Sequence, residues 1–182
     1  MTHASLSSRR SKRFVACEAG VAAVEFAVLA PVLISIYFGA CELCNMLLAD
    51  RKVTDVASAT TDLVAQALQV SDADMTDIFS ASTAIMEPYA PDSLQIIVTS
   101  AVADDNGKVT VGWSDGYNTP GHAKGSDFVL PDPGLVQPDG SVIVTEVKYT
   151  YDSMIGESWM QNFTMHDTFY ERPRRVPQIP HS

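Results

Sequence analysis

From Val21 to Cys41 the chain runs 21 residues with one formal charge, Glu25, and nothing else in it restricts the architecture as strongly. As an α-helix this run is about 30 Å long, the thickness of a bilayer's hydrocarbon core. It reads as a membrane span. Arg9, Arg10, Lys12 and Arg13 precede it with Glu18 as the only acid, and Arg51 and Lys52 follow it. The basic bias puts the amino terminus in the cytoplasm and everything after Cys44 outside.

At 182 residues the chain is one domain with one appendage. Its formal charge of −10 comes from 12 basic and 22 acidic residues. Four of the basic residues lie in the leader, which leaves the remainder strongly acidic. Nucleic acid is a poor partner for such a surface, because affinity for a phosphate backbone comes from Lys and Arg displacing counterions.

A cleaved secretory signal has the same parts, but its apolar region is usually 7 to 15 residues long. Here the run is longer, contains Glu25 and ends in no clear small-x-small site. Phe38-Gly39-Ala40-Cys41 approximates a lipoprotein box loosely, with Phe where Leu is usual. Glu25 needs a reason, since a carboxylate in the first turns of a membrane helix costs a few kcal/mol without a partner. One reading has it reach back to the cytoplasmic interface. The other starts from spacing: Glu25 is one helical turn after Val21, which follows the small Gly20. A cut after Gly20 would create an ammonium at Val21 able to meet this carboxylate or that of a neighbouring subunit.

Basic leader, Gly20, then Val21-Ala22-Ala23-Val24-Glu25-Phe26-Ala27-Val28-Leu29-Ala30-Pro31-Val32-Leu33 resembles the start of type IV pilin-like proteins, most closely the TadE/TadG-like pilus-assembly family of bacterial tight-adherence (Tad, or Flp pilus) systems. Gly39, Glu42 and Leu43 resemble the Gly-x-x-Glu-Leu that often closes the span there. Thr145-Glu146-Val147-Lys148-Tyr149-Thr150-Tyr151 and Glu171 to Arg175 form a second, weaker part of the likeness. The resemblance implies cleavage by a prepilin peptidase between Gly20 and Val21, an assembly and register role for Glu25 with Phe26 beside it, and partners among other pilin-like subunits and pilus-machine components in the inner membrane. Some relatives keep an uncleaved anchor.

Beyond the span, Val53, Val56, Thr60, Leu63, Ala67 and Val70 recur at spacings of three and four, which predicts one helix from the leader to about Gln69. Pro31 removes a backbone donor and is expected to kink or loosen it. Ser71 with Asp72 and Asp74 signals the start of a second helix ending before Pro88. Strands are expected over Leu94–Ala101, Val109–Trp113, Ser141–Tyr151 and Gln161–Tyr170, with a hairpin turn at Asp105-Asn106-Gly107-Lys108. The Gly- and Pro-rich stretch Ser114–Gly140 reads as a long surface connection. The fold class is therefore α+β, a long amino-terminal helix with a small antiparallel-sheet domain, pilin-like. Its parts are a leader over 1–20, a span over 21–44, an amphipathic continuation over 45–70 and an extracytoplasmic domain over 71–182.

Chemistry-bearing motifs are sparse. Cys41 and Cys44 form a C-x-x-C on a helix with no second ligand pair, so small apolar packing is expected rather than a dithiol or zinc site. His3, His122, His166 and His181 are scattered, and no Gly-x-Ser-x-Gly, His-Glu-x-x-His or phosphate loop occurs. Asp104 and Asp105 are explained by the hairpin turn without calcium. Trp113 and Trp159 read as core or edge aromatics. The expectation is a non-enzymatic subunit that needs no cofactor or metal, and the rival is an exported enzyme or ligand-binding domain on a plain tether.

Overall fold

The computed structural model describes residues 18–153 and 162–182. The basic leader residues, Cys17, Trp159 and the Gln161 end of the last expected strand lie outside them. The order is helix α1 (Glu18–Ala65), helix α2 (Asp72–Ile85) and strands β1 (Gln95–Ala103), β2 (Val109–Tyr117), β3 (Ser141–Tyr151) and β4 (Phe163–Glu171). The chain divides into two compact units between Cys44 and Asn45. The α+β layout is as expected.

In the second unit α1 buries Ala49, Val53, Val56, Ala57, Thr60, Thr61 and Val64. One member of the anticipated stripe is misplaced: Leu63 is 44% exposed, while Val64 is fully buried. At about 100° per residue, Val64 returns to within about 20° of Val53, whereas Leu63 falls nearly a quarter turn away. The helix also stops at Ala65, short of Gln69. Arg174 N–H donates to the Ala65 carbonyl at 2.9 Å, supplying a partner that the helix end lacks. Val70 leaves the helical path and bridges to His181 in parallel.

Helix α2 begins where its capping residues dictate. The Ser71 hydroxyl accepts from Asp74 N–H, and the Asp74 carboxylate accepts from Ser71 N–H at 2.9 Å, a complete capping box. That hydrogen bonding holds the Asp74 pKa below its ordinary value. Met75, Phe79 and Ser82 form the buried face. Lys52 Nζ ties the far end of α2 to α1 by donating to the Ile85 carbonyl at 2.7 Å.

The four strands form one antiparallel sheet in the order β2-β1-β3-β4. β3 alternates as its sequence reads: Ile143, Val147, Tyr149 and Tyr151 join the core shared with α1 and α2, and Val142 and Val144 face the other side. The hairpin turn is set by Asp104, whose carboxylate accepts from Asn106 and Lys108 N–H at 2.9 and 2.8 Å, and by Gly107 at φ +78°. A register shift between Ser100 and Ala101 makes Gly112 the extra residue of a bulge. A Cβ at Gly112 would lie 2.8 Å from Val102 Cγ2 and 3.2 Å from the Ser100 carbonyl.

Ser114–Gly140 is more structured than a surface connection. β2 continues to Tyr117, and Leu130 and Val136, with Phe128 and Leu135 beside them, cover Val142 and Val144 as a second apolar cluster. Phe128 N–H donates to the Val109 carbonyl and Val111 N–H to the Ser126 carbonyl, so Ser126–Phe128 lines the outer edge of β2. Glycine and proline mark where this segment turns; Phe128, Leu130, Leu135 and Val136 fix what it covers.

The tail after β4 is stitched along the same domain. Ser141 N–H donates to the Pro177 carbonyl at 3.0 Å, buried Trp113 Nε1 to the Ile179 carbonyl at 2.7 Å, and Val70 N–H to the Pro180 carbonyl at 3.0 Å. Ile179 is itself buried.

Candidate functional site

Gly20, Val21, Glu25, Phe26 and Pro31 all stand on α1. The Gly20–Val21 bond lies in its first turn, where backbone N–H groups have no intrahelical partner and opening is least costly. Four residues on, Glu25 falls on the same helical face as Val21. Val21, Val24, Phe26, Val28, Val32 and Ile36 are each more than half exposed, as are Tyr37 and Phe38. So much large apolar surface is a surface for lipid or for other helices. Helical geometry continues through Pro31, whose carbonyl accepts from the Ser35 hydroxyl at 2.9 Å. Among the described residues one helix, over Gly20–Ala65, is long and apolar enough to cross a membrane.

Cys41 and Cys44 are exposed free thiols three residues apart on α1. Glu42 between them is buried, at 3% exposure. This carboxylate belongs to the Gly-x-x-Glu-Leu segment, and its polar type gave no signal of burial.

The other polar clusters lie in the sheet domain. His122 Nε2 contacts Glu146 Oε2 at 2.5 Å, and the Ser114 hydroxyl accepts from His122 N–H at 3.0 Å. The hydroxyl thus meets the main chain of His122 and the ring meets the carboxylate, so the three do not line up as nucleophile, base and orienting acid. A cleft of about 580 Å³ is lined by Asn45, Tyr89, Asp92, Tyr149, Tyr151 and Asp152 among others. Tyr89 donates to the Asn45 carbonyl at 2.9 Å and packs edge-on against Tyr151 at 6.1 Å. Burial raises the Tyr89 and Tyr149 pKa values above the ordinary phenol value, with the Asp152 charge adding to the second. At neutral pH these hydroxyls are neutral hydrogen-bonding groups.

His181 was legible only as a residue near the terminus. The structure folds it against Trp113, with ring centroids 5.2 Å apart, and beside Asp115 and Asp72. No spacing in the sequence links these three segments, because the pairing of the tail with Val70 brings them together.

Comparison with known proteins singles out the amino-terminal helix. No match is found among curated proteins or among solved structures. Residues 20–62 match the model of the family described as TadE-like protein, a stretch that holds Gly20, Val21, Glu25, Phe26 and Pro31. Over that helix the chain is similar to TadE-like proteins, the family that its amino-terminal sequence resembles.

Proposed function

We propose that the protein is a membrane-anchored, pilin-like minor subunit or assembly factor of a Tad/Flp-type pilus, acting by helix association. The TadE-like match over the exposed apolar helix carries this reading. In it, the helix inserts into the bacterial inner membrane with its amino terminus in the cytoplasm and the sheet domain on the periplasmic or extracellular side. A prepilin peptidase removes the leader after Gly20. The new Val21 ammonium and Glu25, in a medium where water is scarce, neutralise each other within one chain or between neighbours and set the axial register. Side chains such as Val24, Phe26 and Val28 then pack against other pilin-like helices.

The mass of the mature amino terminus in a host with the pilus system tests this. A chain beginning at Val21, and an unprocessed chain in Gly20→Val, are the expected results. An intact Met1 in the parent overturns the processed subunit in favour of a plain anchor, and a lipidated Cys41 overturns it in favour of a lipoprotein.

A further inference from the structure

Three segments distant in sequence bring ligating atoms together: Asp72, the first residue of α2; Asp115 on β2; and His181 in the tail. These atoms all lie within 4.8 Å of one another. His181 Nε2 is 2.7 Å from Asp115 Oδ2 and 3.7 Å from Asp72 Oδ1. Both Asp115 Oδ2 and His181 Nε2 are sealed from solvent, and despite their separation neither makes an aligned hydrogen bond. Two buried polar atoms in that relation are costly unless something else satisfies them.

We infer that Asp72, Asp115 and His181 form a site for a divalent transition-metal ion of the Zn²⁺ class, which ties the carboxyl-terminal tail to α2 and β2. One imidazole nitrogen with two carboxylate oxygens suits a borderline ion, whereas calcium takes six to eight oxygens. A tetrahedral ion with bonds of about 2.0–2.1 Å separates its ligand atoms by about 3.3 Å. The observed 2.7 and 3.7 Å bracket that value and the Asp72–Asp115 pair lies within 4.8 Å, so the three side chains can close on an ion by rotation. The imidazole is already positioned, since the carbonyl of Pro180 and the N–H of Ser182 on either side are bonded to Val70 and Trp113 packs on the ring. Asp72 is free to complete the set. Its side chain is 94% exposed, and the capping of α2 is done by Ser71 and Asp74. The remaining position is open to water.

The competing account is an imidazolium–carboxylate ion pair between His181 and Asp115. The full chain in detergent micelles, carrying Cys17→Ser, Cys41→Ser and Cys44→Ser so that thiols do not compete, is titrated with Zn²⁺ by calorimetry and with Co²⁺ by visible absorption. One equivalent should bind, with a Co²⁺ spectrum free of thiolate charge transfer and a Zn²⁺-dependent rise in melting temperature. His181→Ala and Asp115→Asn should each weaken binding at least about tenfold, as loss of even an outer partner does at metal sites. Asp72→Asn should weaken it too, and because that side chain is exposed, the loss cannot come from misfolding. Absence of stoichiometric binding by the parent, or affinity unchanged in both Asp72→Asn and His181→Ala, overturns the site and leaves the ion pair.

Discussion

Thr60 and Ser82 meet oxygen to oxygen at 2.7 Å in the interior, joining α1 to α2. Ser82 already donates its one hydroxyl proton to the Ile78 carbonyl at 2.7 Å, so Thr60 is the donor between them. Thr60→Val removes that donor and leaves Ser82 bonded, at a cost of about 1 kcal/mol or less. Ser82→Ala strands a buried Thr60 hydroxyl and should cost about 1–3 kcal/mol. Denaturant unfolding of the two variants in micelles checks the order, and equal losses would mean that the proton lies the other way.

The burial of α1 makes a sharper contrast. Val64→Asp puts an unpaired carboxylate into the core and should cost about 3–5 kcal/mol. Leu63→Asp, one position earlier on an exposed face, should change stability by less than about 0.5 kcal/mol. Near-ultraviolet circular dichroism during thermal unfolding separates the two. Loss of the folded signal in Leu63→Asp would show that this face is covered.

Asp139 adopts φ +60° at the turn entering β3, and hydrogen bonding to Asp105 together with repulsion from it raises the Asp139 pKa above its ordinary value. A carboxyl whose folded value is raised contributes stability that is present below the unfolded value of about 3.8 and lost as pH rises through the folded one. Asp139→Asn removes this loss and suits the left-handed backbone better. The variant should melt above the parent at neutral pH, with the gap closing as the pH is taken below 4. A gap that widens in acid would reverse the sign and exclude the carboxyl pair as its cause.

How much of this was legible follows from the range of each interaction. The α1 stripe, the Ser71 capping box, the Asp104–Lys108 turn and the alternation of β3 depend on neighbours a few residues apart, and the sequence displays them. Leu63 against Val64 was misjudged because spacings of three and four fit both, and packing against α2 and the sheet decides. The cover formed by Phe128 to Val136 was hidden under glycines and prolines. The tail carried no periodicity at all: Trp113 with Ile179, Ala65 with Arg174 and Val70 with Pro180 are single long-range hydrogen bonds. For the same reason Asp72, Asp115 and His181 could not be grouped. Gly20, Val21 and Glu25 can be grouped from the sequence because their relation is one helical turn, and the TadE-like match spans all three; their role is the one proposed above.

The exposed amino-terminal face of α1 leads to the assembly step itself. In the processed subunit proposed above, a peptidase reading the junction needs the small Gly20 and the leader, whereas Glu25 lies on the product side, one turn beyond the bond. Glu25→Gln keeps the shape of the side chain and removes its charge. Cleavage after Gly20 should therefore proceed normally, as mass spectrometry of the mature chain would report. Without the carboxylate, the Val21 ammonium has no partner in a medium where an unpaired charge costs a few kcal/mol, so association with neighbouring helices should weaken and piliation should fail or fall sharply. Co-purification of pilus components with the variant, beside counts of pili on cells, reads this step separately from processing. If Glu25→Gln assembles as the parent does with Val21 exposed, the carboxylate is an interfacial group and the register is set by apolar packing around Phe26 alone.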